Sequence, residues 1–166
     1  MDLTEASAVI TGGASGIGEA SARKLSALGA RCVIVDLQDD KGEAVAKELG
    51  GLYVKADVAN EEQVQAAMDA AMEMGPLRAL VNGAGIGSAS RTVDRNGEPM
   101  PLAQFEFVIR VNLIGTFNCT RLGAATMAKT EPIDDDGQRG AIVNMASVAA
   151  FDGQTGQNAY SASKGG

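Results

Sequence analysis

An open parallel β-sheet covered by helices on both faces is the fold this sequence predicts, and three observations predict it. Short apolar runs alternate with helical patterns between residues 6 and 144, the arrangement that builds a parallel sheet through crossover helices. The first run ends in a glycine turn, Thr11-Gly12-Gly13-Ala14-Ser15-Gly16-Ile17-Gly18, set between a strand and a helix. The fourth run ends in another, Asn82-Gly83-Ala84-Gly85. Right-handed crossovers then give a doubly wound, Rossmann-like sheet in the order 3-2-1-4-5, with a ligand crevice between strands 1 and 4. No internal repeat or composition break divides the chain, so residues 1–166 read as one domain.

The elements follow in order. Residues 6–10 form the first strand, and 19–28 a helix that Gly29 stops. Residues 31–35 (Arg-Cys-Val-Ile-Val) read as a buried strand ending at Asp36, and 41–49 as a short helix closed by Gly50-Gly51. Residues 52–56 are the third strand, leading to Asp57-Val58. Asn60-Glu-Glu-Gln63 is an N-cap with Gln63 at the reciprocal position, and Val64, Ala67, Met68, Ala71 and Met72 follow at helical spacing as core residues. Gly75-Pro76 ends that helix, and 77–81 is the fourth strand. The polar stretch 88–101, with Asn96-Gly97 and two prolines, reads as an exposed excursion that could flank a substrate entrance. Residues 102–129 form one long helical region, with room for a break near its start. The acidic run 131–140 is a solvated loop, 141–144 the fifth strand, and a last helix carries Tyr160 and Lys164.

Composition narrows the chemistry. Hydrophobic residues make up 45% of the chain and charged residues 21%, as in a globular protein. A net charge of −7 disfavours nucleic acid and anionic membrane as partners. Met1-Asp2-Leu3-Thr4-Glu5 lacks the basic and apolar regions of a signal peptide, so a cytoplasmic location is expected. Cys32 and Cys119 read as buried free thiols. The chain has no histidine, which excludes Ser-His-Asp catalysis, histidine-bound zinc and a histidine base. No metal site is expected, and acid–base work falls to tyrosine, lysine, cysteine or a carboxylate.

Asp36 lies 18 residues past Gly18, near the spacing of an acid that accepts hydrogen bonds from an adenosine ribose. It would repel a 2′-phosphate, and no Lys or Arg stands in Gly13-Ala14-Ser15 or at Leu37, so NAD is favoured over NADP. Read alone, Asp36 is also compatible with a strand-end acid facing solvent, and Asn82-Gly83-Ala84-Gly85 with an ordinary tight turn. Asn112, embedded among apolar residues, is as compatible with a structural amide as with a catalytic one. Tyr160 and Lys164 are four apart and share a helix face. A phenol is a poor base near neutrality, with an ordinary pKa of about 10, and a nearby ammonium favours its phenolate. Ser147, after strand 5, could touch the same reacting oxygen.

Taken together, Thr11-Gly12-x-x-x-Gly16-x-Gly18, Asp36, Asp57-Val58, Asn82-Gly83-Ala84-Gly85, Asn112, Ser147 and Tyr160-x-x-x-Lys164 resemble the short-chain dehydrogenase/reductase family, in the family's order over the whole chain. The resemblance implies roles. Tyr160 would exchange a proton with the substrate oxygen while hydride moves to or from NAD. Ser147 would position that oxygen, and Lys164 would hold the nicotinamide ribose. Asn112 would hold a water in a proton relay. Gly12, Ser15, Gly16, Ile17 and Gly18 would surround the cofactor phosphates, Asp57 and Val58 the adenine, and Gly83 and Ala84 would pass close to the cofactor. Many members carry asparagine where this chain has Gly83.

A narrower likeness, to the branch that oxidises 3-hydroxyacyl-CoA, rests on Gly137-Gln138-Arg139-Gly140, on Ala146-Ser147-Val148-Ala149-Ala150-Phe151 and on Tyr160-Ser161-Ala162-Ser163-Lys164-Gly165-Gly166. It implies a small-molecule substrate, an acyl-CoA or steroid-like alcohol, with hydroxysteroid oxidation, 3-oxoacyl reduction or NAD binding without turnover as alternatives. Family members continue past this point with further strands and a lid and commonly form tetramers. The expectation is therefore a truncated or incompletely represented form of an active, homotetrameric enzyme.

Overall fold

The computed structural model describes residues 1–166, which run β1 (Ser7–Thr11), α1 (Gly16–Ala27), β2 (Arg31–Asp36), α2 (Asp39–Leu49), β3 (Leu52–Lys55), α3 (Glu61–Met74), β4 (Leu77–Asn82), α4 (Leu102–Ile109), a π turn (Arg110–Gly115), α5 (Thr116–Ala128), β5 (Ala141–Asn144), a short 3₁₀ turn (Val148–Ala150) and α6 (Asn158–Gly165). All strand pairs are parallel, in the order β3-β2-β1-β4-β5 that the alternation predicts. Val9 stands opposite Val33 on one side and Leu80 on the other.

Alternation along the strands divides the core between the two faces. Val9, Val33, Val35 and Leu80 pack with Val64, Met68 and Leu122 of α3 and α5. Ile10, Cys32, Ile34 and Val81 pack with Ala22, Val45 and Ala46 of α1 and α2. Each branched side chain buried in this way contributes about 1.5–3 kcal/mol. The winding therefore places the C-terminal ends of β1 and β4 side by side, with α1 leaving one and an excursion leaving the other.

The structure departs from the sequence expectation at several elements. Helix α1 starts at Gly16, ahead of the expected residue 19, because glycine's poor helix propensity hides the first turn inside the glycine motif. The region 102–129 is helical throughout, but its irregularity is a wide π turn at Arg110–Gly115, in the middle and not near the start. Met68 is fully buried, whereas Met72 is 37% exposed on the rim of α3. Asn60 caps α3 as predicted, its Oδ1 accepting from Gln63 N at 3.0 Å. Gln63 does not complete the reciprocal bond: Asn60 N already donates to Asp57 O at 2.8 Å, and Gln63 Oε1 accepts from Asp57 N at 2.7 Å. The 88–101 excursion carries order of its own, an antiparallel bridge between Val93 and Pro99 closed by Asp94 Oδ1, which accepts from Asn96 N (2.7 Å) and Glu98 N (2.9 Å). No helix is long and apolar enough to cross a membrane.

The two thiols sit on opposite faces of the sheet, Cys32 beside Ala22 and Cys119 beside Leu80 and Met68. Burial pushes the Cys32 thiol up to about 11 and the Cys119 thiol up to about 12. The thiolate is the reactive form. At neutral pH an aromatic disulfide reagent should therefore label neither cysteine in the folded chain and both after unfolding in guanidinium. Rapid labelling of either thiol in the native chain would contradict this packing.

Candidate active site

At the glycine turn, backbone meets backbone. Gly12 (φ +65°) and Gly16 (φ +55°) occupy the left-handed region that glycine enters without strain. A Cβ on Gly12 would lie 2.7 Å from Ala84 N, one on Gly18 would lie 2.1 Å from Gly12 O, and one on Gly83 would lie 2.8 Å from Thr11 O. No side chain fits at any of the three without moving main chain. The contact is sealed by Gly83 N donating to Thr11 O (3.1 Å) and Ala84 N donating to Thr11 Oγ1 (3.2 Å). Beside Gly16, by contrast, nothing lies within 4 Å of where a Cβ would stand. That open side is the mouth of a cleft, and the first N–H groups of α1, which have no intrahelical acceptor, are available there.

The cleft has a volume of about 500 Å³ and is lined by Gly12, Ser15, Gly16, Ile17, Gly18, Asp36, Asp57, Val58, Gly83 and Ala84, ten of the predicted cofactor residues, all brought together. Asp36 at the end of β2 is held by main chain: Oδ2 accepts from Ala14 N at 3.1 Å, and Oδ1 from Leu37 N at 2.8 Å and Gln38 N at 3.1 Å. Asp57 is held likewise, with Oδ1 accepting from Ala59 N at 2.9 Å and Oδ2 paired with Arg110 Nη2 at 3.1 Å. Gly85 of the second glycine turn lines it too, and Val35, Leu37, Gln38, Ala56, Ile86, Phe107 and Val111, which were not singled out as binding residues from the sequence, complete the wall. Phe107 and Val111 are four residues apart on one helical face, the one signal that could have found them.

Tyr160 and Lys164, the remaining predicted residues of the cofactor set, line an adjoining cleft of about 430 Å³ that shares Ile17, Gly83, Gly85 and Ile86 with the first. Lys164 Nζ donates to Met145 O at 2.7 Å and lies 5.8 Å from the centroid of the Tyr160 ring. Asn112 is buried in the π turn, its Oδ1 accepting from Ile86 N (2.8 Å) and its Nδ2 donating to Ile86 O (2.9 Å) and Ser163 Oγ (3.1 Å). The side-chain amide thus latches the loop after β4 to α6. A cavity of about 330 Å³, lined by Asn112, Thr116, Ser163 and Lys164 among others, joins Asn112 to the lysine.

Ser147 is the predicted residue that the structure does not bring to this wall. Its Oγ accepts from Ala149 N at 3.2 Å, capping the 3₁₀ turn, while Met145 and Ala146 line the cleft beside Tyr160. The arrangement as a whole offers unpaired N–H donors for a phosphate, two fixed carboxylates for hydroxyl or amino donors, and a phenol with a neighbouring ammonium for proton exchange.

The chain is similar to known proteins in sequence and in fold. Human (Homo sapiens) 3-hydroxyacyl-CoA dehydrogenase type-2 is 52% identical over 163 residues, covering 96% of this chain and 62% of the relative. The Drosophila melanogaster protein of the same name is 48% identical over 166 residues, covering 98% of this chain and 65% of the relative. The crystal structure of 3-hydroxyacyl-CoA dehydrogenase type-2 from Mycobacterium avium matches with a TM-score of 0.94 at 44% identity, over 100% of this chain and 66% of that one. The chain therefore spans less than two thirds of the length of these relatives. Residues 6–166, from the start of β1 through the Tyr160–Lys164 helix, match the short chain dehydrogenase family, and this chain belongs to it.

Proposed function

We propose that the chain binds NAD in the larger cleft and, with Tyr160, interconverts a 3-hydroxyacyl-CoA and its 3-oxoacyl-CoA, a reaction of fatty-acid metabolism. The observation that carries this reading is the continuity of the two clefts: Ile17, Gly83, Gly85 and Ile86 wall both, so a ligand seated on the glycine turn extends directly to Tyr160. The open space at Gly16 and the fixed carboxylate of Asp36 fit a dinucleotide. The substrate class is supported by the names of the relatives in human, fly and mycobacterium.

When bound, NAD supplies the hydride acceptor. The chain's own residues do the rest. The N–H groups at the start of α1 bind the pyrophosphate, and Asp36 accepts from the adenosine ribose while repelling a 2′-phosphate. Asp57 and Val58 hold the adenine end. Tyr160 takes the proton of the substrate hydroxyl, and the Lys164 ammonium offsets the negative charge on the phenol oxygen before that transfer. The cavity joining Lys164 to Asn112 gives that proton a polar path away from the site. Ser147 contributes to the substrate oxygen by donating its own hydroxyl proton, which the bond accepted from Ala149 N–H leaves free.

We infer also that copies associate through the outer face of the long helical region 102–128, where Ile114 and Phe117 are 52% and 65% exposed, apolar surface of the kind that marks a contact between chains.

Tyr160→Phe should lower kcat at least about a hundredfold in an assay of reduced-nicotinamide absorbance while NAD still binds; undiminished turnover would sink the role of Tyr160. For Asp36→Ala, the preference for NAD over NADP should narrow by about tenfold, measured as the ratio of dissociation constants. An unchanged ratio would remove Asp36 from cofactor selection. Phe117→Asp should shift the mass measured by light scattering towards the monomer, and an unchanged mass would exclude this face as the contact.

A further inference from the structure

Behind the wall of the larger cleft, β3 faces the turn that carries the chain from Asp36 at the end of β2 into α2. Tyr53 and Lys55 are two apart on β3 and so share one face of the sheet. In register, Tyr53 stands opposite Ile34 and Lys55 opposite Asp36. From there Tyr53 Oη reaches Asp36 O at 3.0 Å and Asp39 Oδ1 at 2.9 Å, and its proton is shared between the two acceptors. Lys55 Nζ donates to Asp39 Oδ2 at 2.5 Å. Asp39 is the first residue of α2. One phenol therefore holds both ends of the turn, with Leu37 and Gln38 between them.

Three features tie the phenol to this turn. Its ring fills the space that Gly42 leaves on α2, where a Cβ would lie 2.2 Å from Tyr53 Cε2. Glycine inside a helix costs about 0.5–1 kcal/mol relative to alanine, so α2 gives up stability to admit the ring. Both bonding groups also keep the protonation state that the contact needs. Burial, joined by the bond to Asp39, raises the phenol above its ordinary pKa, and Lys55 with Tyr53 holds the Asp39 carboxyl below the usual carboxylate range. The third feature is position. Asp36, Leu37 and Gln38 line the cleft, whereas Tyr53 and Asp39 do not. Asp36 O also accepts from Ala56 N at 3.2 Å, which fixes the end of the strand but not the turn beyond it. The Asp36 carboxylate depends on that turn, because its Oδ1 accepts from Leu37 N and Gln38 N.

We propose that Tyr53 is a positioning residue for cofactor selection: its hydroxyl fixes the 36–39 turn, and the turn fixes the Asp36 carboxylate where a ribose 2′-OH donates to it and a 2′-phosphate is repelled. This role rests on the reading of Asp36 as the acid that selects NAD. Without the hydroxyl, Leu37 N and Gln38 N move with the loosened turn, and the carboxylate swings aside far enough to admit the phosphate.

Tyr53→Phe removes the hydroxyl and leaves the ring in its place against Gly42. In calorimetric titrations, the ratio of the dissociation constants for NADP and NAD should fall about fivefold, the loss of one hydrogen bond. In an Asp36→Ala background the same substitution should leave the ratio where Asp36→Ala alone puts it, because the phenol acts through that carboxylate. A purely structural role would weaken both cofactors alike, and that unchanged ratio overturns the proposal. A further fall in the Asp36→Ala background overturns it too. Asp39→Ala releases the far end of the turn from a half-exposed position and gives an answer if Tyr53→Phe does not fold. It should move the ratio in the same direction, and no movement overturns the clamp. If Asp36→Ala itself leaves the ratio unchanged, the reading of Asp36 falls and the role of Tyr53 with it. If Asp36→Ala narrows the ratio and Tyr53→Phe does not, Asp36 keeps its part and only Tyr53 loses its own.

Discussion

Three stretches of main chain touch at Gly12, Gly18 and Gly83, and the layout of both clefts depends on that contact. Close-packed interiors have no slack for an added methyl group there, since each one would overlap backbone on the neighbouring segment. The contact brings the start of α1 against the end of β1 and draws the turn after β4 over both. Helix α1 must then begin inside the glycine motif and direct its free N–H groups, with the positive end of its dipole, into the crevice. Binding chemistry at the crevice follows from a steric requirement on three residues with no side chain.

The π turn links the ends of the site. Arg110 at its start pairs with Asp57, and Gly115 at its end packs on Val58, where a Cβ would approach Val58 Cγ2 to 2.4 Å. Between them, Asn112 holds the loop after β4 to α6 through Ile86 and Ser163. Wide helical turns of this kind concentrate at functional sites because they re-aim side chains that a regular helix would direct elsewhere. Here one turn joins the Asp57 wall of the larger cleft to the helix bearing Tyr160 and Lys164.

Both carboxylates of the larger cleft are fixed by the protein itself. Main-chain N–H groups hold Asp36 from three residues, and Asp57 is held by Ala59 N and Arg110. Such preorganisation reduces the ordering that a ligand must otherwise supply on binding. Ser147 is the contrasting case. Its hydroxyl oxygen accepts from Ala149 N, a neutral hydrogen bond within its own turn that leaves the O–H proton free to donate to a substrate oxygen.

What could be read from the residues alone was whatever lies in short-range pattern. The strand order followed from the alternation of apolar runs and helical periods, Asp36 from its distance to the glycine turn, and the Tyr160–Lys164 pair from helical spacing. Each depends on local geometry that a few neighbouring residues specify. The position of the π turn, the pairing of Arg110 with Asp57 and the course of the Ser147 hydroxyl were not legible in this way. Asn112 reaches Ser163 across 51 residues and Arg110 reaches Asp57 across 53, and no periodicity in the chain records partners so remote. Sequence settles which backbone path is sterically open; the direction a polar side chain takes is settled by which distant donors and acceptors folding places within about 3 Å of it.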